Sequence, residues 1–435
     1  MSINQNLVDF RHSLERGTGD AILAARQCRD NALIPEILRA CRIARGDDPQ
    51  CEGHRAVYLV DIIFSLAKPQ ELVSKLLGMF RRTQCSGWDL NQYFELLCEI
   101  YRRTANPAIP KLIEGKYLNI NRAESSSFGE EALVKSMGLA GLKIVAQTRG
   151  GFLVGEDQWE SNSLVVFTES LHPEVNVKEE LTRWSESNEQ ILRYFNCVFS
   201  EDSSLSARNE SKLPVLDSII INIDALRVVP ASPRDVNSLS DSDVECLAVA
   251  FRGETNRLRA EKYLRIFSHR KYPFEFEDIF KWAVKRPLAA DRLVEFACKS
   301  LGKFHDDAIR NLAIRKLDSR HNVDSYIYLL TSNYADGDGV RLRKFVDECR
   351  SYQSVHDLCW PIVDIYNHGD FSDCKVPLEK LYYRMNCGIC REKVVAILKD
   401  RNLLTPRMIA EIQHDSYEGI REIGKKVKQD LDGKT

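Results

Sequence analysis

Short amphipathic segments with a helical period recur along most of this chain, and only a few polar residues separate them. Within residues 31–45, for example, Leu33, Ile37 and Cys41 fall on one face of a helix. Residues 53–67 form a second apolar segment of the same kind. Turns this short force neighbouring helices to lie side by side in antiparallel pairs. The sequence therefore predicts an all-α fold.

Composition narrows the class of protein. The chain has 435 residues, of which 44% are hydrophobic and 29% charged, which excludes a wholly disordered chain. Residues 1–20 lack the apolar core of a secretory leader, and no stretch reaches about 18 apolar residues. Thirteen cysteines, including Cys41 and Cys298 at apolar helix positions, are typical of buried thiols in a reducing compartment. We therefore expect a cytoplasmic protein with no disulfide framework and no membrane partner.

Four segments of the C-terminal half share a local pattern. Each begins with a polar or glycine turn, continues with an aliphatic residue or Cys followed by Arg, and then enters an apolar helix. The arginines in this position are Arg310, Arg341, Arg391 and Arg421. We expect them to bind an aspartate of a neighbouring turn, such as Asp306 or Asp338, because turns that open helices carry unsatisfied backbone groups.

This pattern resembles the HEAT and HEAT-like helical repeats over residues 251–435, and more weakly over 20–150. The resemblance implies an irregular α-solenoid, in which stacked helical pairs bury a continuous core that one pair cannot bury alone. The arginines are separated by 31, 50 and 30 residues, so the spacing is less even than in a regular array.

The central part of the chain differs in charge. Residues 121–250 hold 11 Lys and Arg against 21 Asp and Glu. Residues 200–212 have the composition of a linker, and the β-branched stretch 213–230 fits either a strand or a buried helix. We expect the acidic part to be a solvated, partly irregular insertion; the alternative is that it rests against the basic C-terminal part. The expected division is a helical repeat-like region over 1–152, an acidic Ser-rich insertion or linker over 153–245, and HEAT-like repeats over 246–435.

Motifs of common catalytic sites do not occur in the sequence. GxxxxGK[ST], GxGxxG, HExxH and GxSxG are all missing. The DGDG run at 336–339 fails as a calcium loop, because Arg341 stands where the loop requires glycine. We therefore expect no cofactor and favour a protein that is not an enzyme, although an enzyme with an unfamiliar site stays open as an alternative.

One set of cysteine and histidine residues has the ligand types of a zinc site. The spacing H-x5-C-x12-C-x2-C is formed by His368, Cys374, Cys387 and Cys390. Cys390 occupies the apolar position that opens a helix of the repeat, which favours buried thiols over metal ligands. Redox use of the pair is a third interpretation, since a helix N-terminus lowers the pKa of a thiol. We expect no bound metal, with this set as the zinc candidate.

The strongest concentration of positive charge lies in residues 252–271. Leu258, Tyr263, Leu264 and Phe267 predict the buried stripe of a helix there, which leaves the basic residues facing water. The simpler interpretation is a solvated helix face, and the functional one is a surface that binds an anion. The candidate binding residues, with three from the next helix, are Arg252, Arg257, Arg259, Lys262, Arg265, Arg270, Lys271, Lys281, Lys285 and Arg286.

These observations favour a non-catalytic protein-interaction scaffold or adaptor built on a HEAT-like solenoid, with a protein partner. The alternative is a helical-repeat protein that binds nucleic acid, as in DNA repair, through residues 252–286. The two can be separated by the placement of the basic residues: a nucleic-acid ligand requires them to share one concave face.

Overall fold

A computed structural model of the protein describes residues 3–28, 32–44, 55–120, 128–153, 160–199, 215–225, 233–288 and 292–433. Within these residues the regular structure is entirely helical, without a β-strand, which confirms the all-α prediction. The α-helices are α1 (Ile3–Arg16), α2 (Asp20–Gln27), α3 (Ile34–Arg42), α4 (Arg55–Ser65), α5 (Pro69–Arg82), α6 (Gly87–Thr104), α7 (Ala108–Leu118), α8 (Glu130–Met137), α9 (Leu139–Phe152), α10 (Ser163–Leu171), α11 (Val177–Ser185), α12 (Glu189–Phe199), α13 (Val215–Asp224), α14 (Pro233–Ser238), α15 (Asp241–Arg252), α16 (Arg257–Phe267), α17 (Glu277–Ala283), α18 (Leu293–Leu301), α19 (Asp307–Asp318), α20 (Val323–Tyr326), α21 (Asp338–Glu348), α22 (Tyr352–His368), α23 (Lys375–Arg384), α24 (Gly388–Asp400), α25 (Pro406–Ile412) and α26 (Glu418–Asp432). A 3-10 helix, Ile327–Leu330, follows α20.

The chain divides into two compact units. Unit 1 comprises Met1–Arg208 together with Thr405–Thr435, and unit 2 comprises Asn209–Leu404. The sequence of unit 2 is therefore inserted within that of unit 1. The last two helices, α25 and α26, belong to the same unit as the N-terminal helices.

Three helices from the acidic central segment belong to the core of unit 1. In α12, Ile191 and Tyr194 are buried, and this helix packs against α9. Gly150 of α9 allows the close approach, because a Cβ at that position would lie 1.7 Å from the carbonyl oxygen of Gln190. Buried side chains of α10, α11 and α12 thus contribute to the packed core of unit 1.

The C-terminal segment of unit 1 is tied to its N-terminal helices by polar contacts. The backbone N–H of Ser416 donates to the carbonyl oxygen of Gly17 at 2.7 Å. The guanidinium of Arg407 contacts Asp20 at 2.7 Å and the buried carboxylate of Glu411 at 2.6 Å. Burial and the nearby Asp20 carboxylate raise the pKa of Glu411 to about 7.

In unit 2, α16 packs against α18, α21 against α23, and α22 against α24. A cluster of buried aromatic rings fixes the position of α16. Phe267 contacts Tyr272 with ring centroids 4.9 Å apart in an edge-to-face arrangement, and Phe251 contacts both Phe267 and Tyr263. This packing determines which side of α16 faces outward.

The helix-opening arginines bind the turns around them. Arg310 pairs with Asp338 at 2.8 Å, which confirms one of the predicted contacts. Arg391 donates to the carbonyl oxygens six and five residues before it, at 3.2 and 2.6 Å. Arg421 donates to the carbonyls at the same two spacings, both at 2.8 Å, and Arg341 pairs with Asp318. Two of the four repeat-like turns therefore share one local geometry, in which the arginine closes the loop before its helix.

Two other expectations concern the region around residue 213. Residues 215–224 form the helix α13, which decides between the strand and helix interpretations. The linker predicted over 200–212 lies outside the described residues. None of the helices in the described part of the chain is long and apolar enough to cross a membrane.

Candidate anion-binding cleft

A cleft of about 730 Å³ opens on unit 2 between α16, α18, the 3-10 helix and α22. Its volume lies within the range of roughly 300–1,000 Å³ that is usual for sites holding one compact ligand. The residues that line it are Glu261, Lys262, Arg265, Ser268, His269, Arg292, Phe296, Lys299, Gly302, Lys303, Tyr328, Thr331, Trp360, Asp364 and His368.

Helix α16 supplies one wall. It begins where the Asn256 side chain accepts hydrogen bonds from the N–H groups of residues 258 and 259, at 2.9 and 3.2 Å. Its buried face is formed by Ala260, Tyr263, Leu264, Ile266 and Phe267. The apolar pattern predicts that Leu258 belongs to this buried face. In the structure Leu258 is 51% exposed, because it lies on the first turn of the helix, beyond the core. The helical period then turns residues 261, 262 and 265 toward the cleft.

Positive charge exceeds negative charge along the lining. Five cationic side chains face two carboxylates, those of Glu261 and Asp364. Glu295 lies beside the cleft, 2.6 Å from Arg292 and 3.0 Å from Lys299. With this carboxylate included, five cationic side chains face three carboxylates, so these groups together carry a net positive charge.

The pKa values of two bases at the cleft are lowered, mainly by burial. Burial, followed by the charge of Arg270, lowers the pKa of Lys303 to about 8. Burial also lowers the pKa of His269, and the charges of Lys303, Lys299 and Arg265 lower it further. An anion bound in the cleft would reverse these effects, since it would stabilise each protonated form.

Hydrogen bonding and ring contacts hold the cations in place. The Nζ atom of Lys303 donates to the carbonyl oxygen of Phe267, at the end of α16, at 3.1 Å. The Nζ of Lys299 lies 4.6 Å from the ring centroid of Tyr328. Trp360, on α22, is 40% exposed at the cleft, and the Nζ of Lys393 lies 4.9 Å from its ring centroid. The site combines fixed cations with one partly exposed aromatic ring.

Of the ten basic residues proposed from the sequence, only Lys262 and Arg265 line this cleft. Four others lie beside carboxylates: Arg252 beside Asp278 at 3.0 Å, Arg259 beside Asp224 at 2.9 Å, Arg270 beside Asp241 at 2.7 Å, and Lys281 beside Asp278 at 3.8 Å. Arg257 donates to the carbonyl oxygen of Arg286 at 3.1 Å, Lys271 lies over the Phe304 ring and Lys285 over the Trp282 ring. The predicted cluster is thus largely engaged in local contacts, and it does not form one continuous set of cleft residues.

Several residues of the cleft were not identified from the sequence. Arg292, Lys299 and Lys303 lie on or beside α18, between 6 and 17 residues after Arg286, the last of the predicted basic residues. Lys299 and Lys303 are four residues apart, which places both on one side of a helix end. This spacing is the feature of the sequence that could have identified them. Their proximity to α16 depends on helix packing, which the spacing does not specify.

The zinc candidate is divided by the fold. Cys387 and Cys390 come together, and the histidine beside them is His356 rather than His368. His368 lines the cleft, and Cys374 is buried outside the group formed by His356 and the cysteine pair.

Comparison of the chain with protein-family models and with curated proteins finds no match.

Proposed function

We propose that this protein is a non-catalytic interaction scaffold, a cytoplasmic HEAT-like α-solenoid, whose unit 2 cleft binds an acidic segment of a partner protein. The observation that carries the proposal is the convergence of Lys262, Arg265 and Lys303 on one cleft beside the exposed ring of Trp360. Carboxylates are bound by such donors through charge-assisted hydrogen bonds. The aromatic face suits an apolar residue next to the carboxylates.

The solenoid part of the proposal rests on the helical content and the repeated arginine turn. Arg391 and Arg421 close their turns through carbonyls at identical sequence offsets. A recurring unit of this kind is typical of arrays in which each helical pair packs on its neighbours.

Nucleic acid is the second candidate ligand, and the exposure of Trp360 favours it, because bases stack on open aromatic rings. It is the weaker candidate, since Arg252, Arg259 and Arg270 are engaged by carboxylates. A phosphate backbone is normally bound by a run of available cations rather than by one compact group.

Fluorescence anisotropy of the full chain tests the proposal. The probes are a labelled peptide of glutamates interspersed with phenylalanine and a labelled single-stranded oligonucleotide. We expect the peptide to bind the wild type, and the double variant Lys262→Glu, Arg265→Glu to bind it at least tenfold more weakly. That loss corresponds to about 1.4 kcal/mol, which is within the worth of one hydrogen bond to a charged group.

Arg315 supplies the matched control, because it is an exposed arginine on α19 that does not line the cleft. The Arg315→Glu variant should bind the peptide like the wild type. If the control and the double variant lose the same affinity for the peptide, the loss reflects the net charge of the protein. That result would contradict the cleft as the binding site. Tighter binding of the oligonucleotide, with a steep salt dependence, would replace the acidic peptide with nucleic acid.

A further inference from the structure

A histidine and two cysteines converge in unit 2, away from the residues that line the cleft. Cys387 precedes the first residue of α24, and Cys390 lies in the first turn of that helix. His356 comes from the first half of α22. A ring nitrogen of His356 and the two Sγ atoms all lie within 4.8 Å of one another.

The three side chains have the chemistry of a zinc site. Thiolate sulfur and imidazole nitrogen are the usual ligands of this ion, at about 2.3 and 2.0 Å. In a tetrahedron with such bond lengths the ligand atoms are about 3.8 Å apart. A small rotation of the side chains therefore brings atoms within 4.8 Å of one another to coordinating distance. We propose that His356, Cys387 and Cys390 bind one Zn²⁺ ion, with a fourth position left for water or another small ligand.

The burial of the two thiols favours metal binding over thiol–disulfide exchange with another molecule. The exposed fractions of Cys387 and Cys390 are 5% and 1%, whereas His356 is half-buried. Thiol–disulfide exchange requires a second sulfur to reach the attacking thiolate. A bare ion needs far less access. Two thiolates also balance the charge of Zn²⁺, which makes the occupied site neutral in a buried position.

The surrounding residues fix the ligands in position. Arg391 is fully buried, and its guanidinium donates to the carbonyl oxygens of Met385 and Asn386 at 3.2 and 2.6 Å. These contacts hold the loop that carries Cys387. The Sγ of Cys359, one turn after His356 on α22, lies 3.9 Å from the carbonyl oxygen of Cys390. Outer contacts of this kind orient metal ligands and raise their affinity.

Two residues of the zinc candidate set predicted from the sequence do not belong to this site. His368 and Cys374 are not part of the group. The histidine that is part of it lies 31 residues before Cys387, on another helix. No fixed spacing links these positions, because the packing of α22 against α24 creates the site.

Metal analysis of the full chain, purified under reducing conditions, tests the proposal. We expect about one zinc per chain, and uptake of one Co²⁺ by the metal-free protein with the charge-transfer absorption of thiolate ligands. Cys387→Ser and His356→Gln should each lower the affinity at least tenfold, as measured by competition with a chromophoric chelator. His356 is only half-buried, so His356→Gln retains a test if the cysteine variant does not fold.

Cys374→Ser is the matched control, since it also replaces a buried thiol of unit 2 but lies outside the group. It should bind zinc like the wild type. Failure of the reduced, folded wild type to take up either metal would overturn the proposal. So would a Cys387–Cys390 disulfide in protein isolated without metal, or equal loss of zinc in Cys374→Ser.

Discussion

If the cleft binds an anion as proposed, the lowered pKa of Lys303 makes the affinity depend on pH. Because this pKa lies at about 8, the side chain is about nine-tenths protonated at pH 7 and about one-tenth protonated at pH 9. If the bound anion requires the charged form, its affinity falls about tenfold across this interval, or about 1.4 kcal/mol. A lysine with an ordinary pKa would change its protonation by only a few per cent over the same range.

Other titratable groups at the cleft differ in their influence on this pH dependence. Burial also lowers the pKa of Lys262, so loss of its charge adds to the loss of affinity as the pH rises. Arg270 lowers the pKa of Lys303 and Asp364 raises it, and burial has the largest influence. The lowered pKa of His269 keeps that ring neutral above pH 7, while burial raises the pKa of Tyr328 and keeps its hydroxyl protonated. The carboxylates of an acidic peptide are ionised throughout.

Stability should move in the opposite direction from binding. The pKa of Lys303 is lower in the folded chain than in the unfolded chain, so between about pH 8 and 10.4 the unfolded state binds more protons. The contribution of this group to stability therefore rises with pH across that window, while the affinity for the anion decreases. Loss of binding caused by unfolding would instead accompany loss of stability.

The assay is fluorescence anisotropy of the labelled acidic peptide at pH 7, 8 and 9 and constant ionic strength, beside thermal unfolding of the same samples. We expect at least tenfold weakening in the wild type and a clearly shallower profile in Lys303→Arg, because arginine stays charged at these values while Lys262 is unchanged. An equal slope in the variant and the wild type would refute the role of Lys303. Parallel decline of affinity and unfolding temperature would refute the reasoning as well.

Two further predictions concern unit 1. Gly150→Ala should lower the midpoint of urea unfolding, measured by fluorescence. The added methyl group would overpack against the Gln190 carbonyl at a cost of about 3 kcal/mol, which exceeds the gain of about 1 kcal/mol in helix propensity. Gly115→Ala, in open space on α7, should raise the midpoint, and the reverse order would contradict the packing of α9 on α12. Because the pKa of Glu411 is raised, the folded state retains a proton that the unfolded state releases. The protonated Glu411 therefore contributes its full stabilisation below about pH 4.3, and this stabilisation is lost as the pH rises through about 7. Glu411→Gln should therefore reduce the decline in unfolding temperature between pH 5 and pH 8. An unchanged decline would contradict the raised pKa of Glu411.

Local features of the fold were accessible from the sequence. The apolar period located α3 within residues 31–45, and the turn chemistry predicted the contact between Arg310 and Asp338. Both depend on residues that are close in sequence or on a repeated local motif. The β-branched stretch around α13 could not be assigned, since a short apolar run satisfies both helical and strand periods.

The functional candidates depend on contacts between helices, and sequence reasoning reached them only in part. Lys262 was identified because its helix concentrates charge, but Lys303 enters the same cleft from beyond α18. His356 replaces His368 beside the cysteine pair for the same reason. The packing of buried side chains determines which faces meet among the helices α16, α18, α22 and α24. That packing cannot be predicted from the spacing of residues in one sequence.

The insertion of unit 2 into unit 1 has a consequence for synthesis on the ribosome. The partners of Asp20 and Gly17 lie in Thr405–Thr435, so the N-terminal helices emerge before the segment that completes their fold. All of Asn209–Leu404 must be translated in between, which takes roughly 10–40 s at about 5–20 residues per second. During that interval the Asp20 carboxylate and the Gly17 carbonyl lack the partners that the finished chain gives them, so the N-terminal helices wait for their C-terminal contacts until translation is nearly complete.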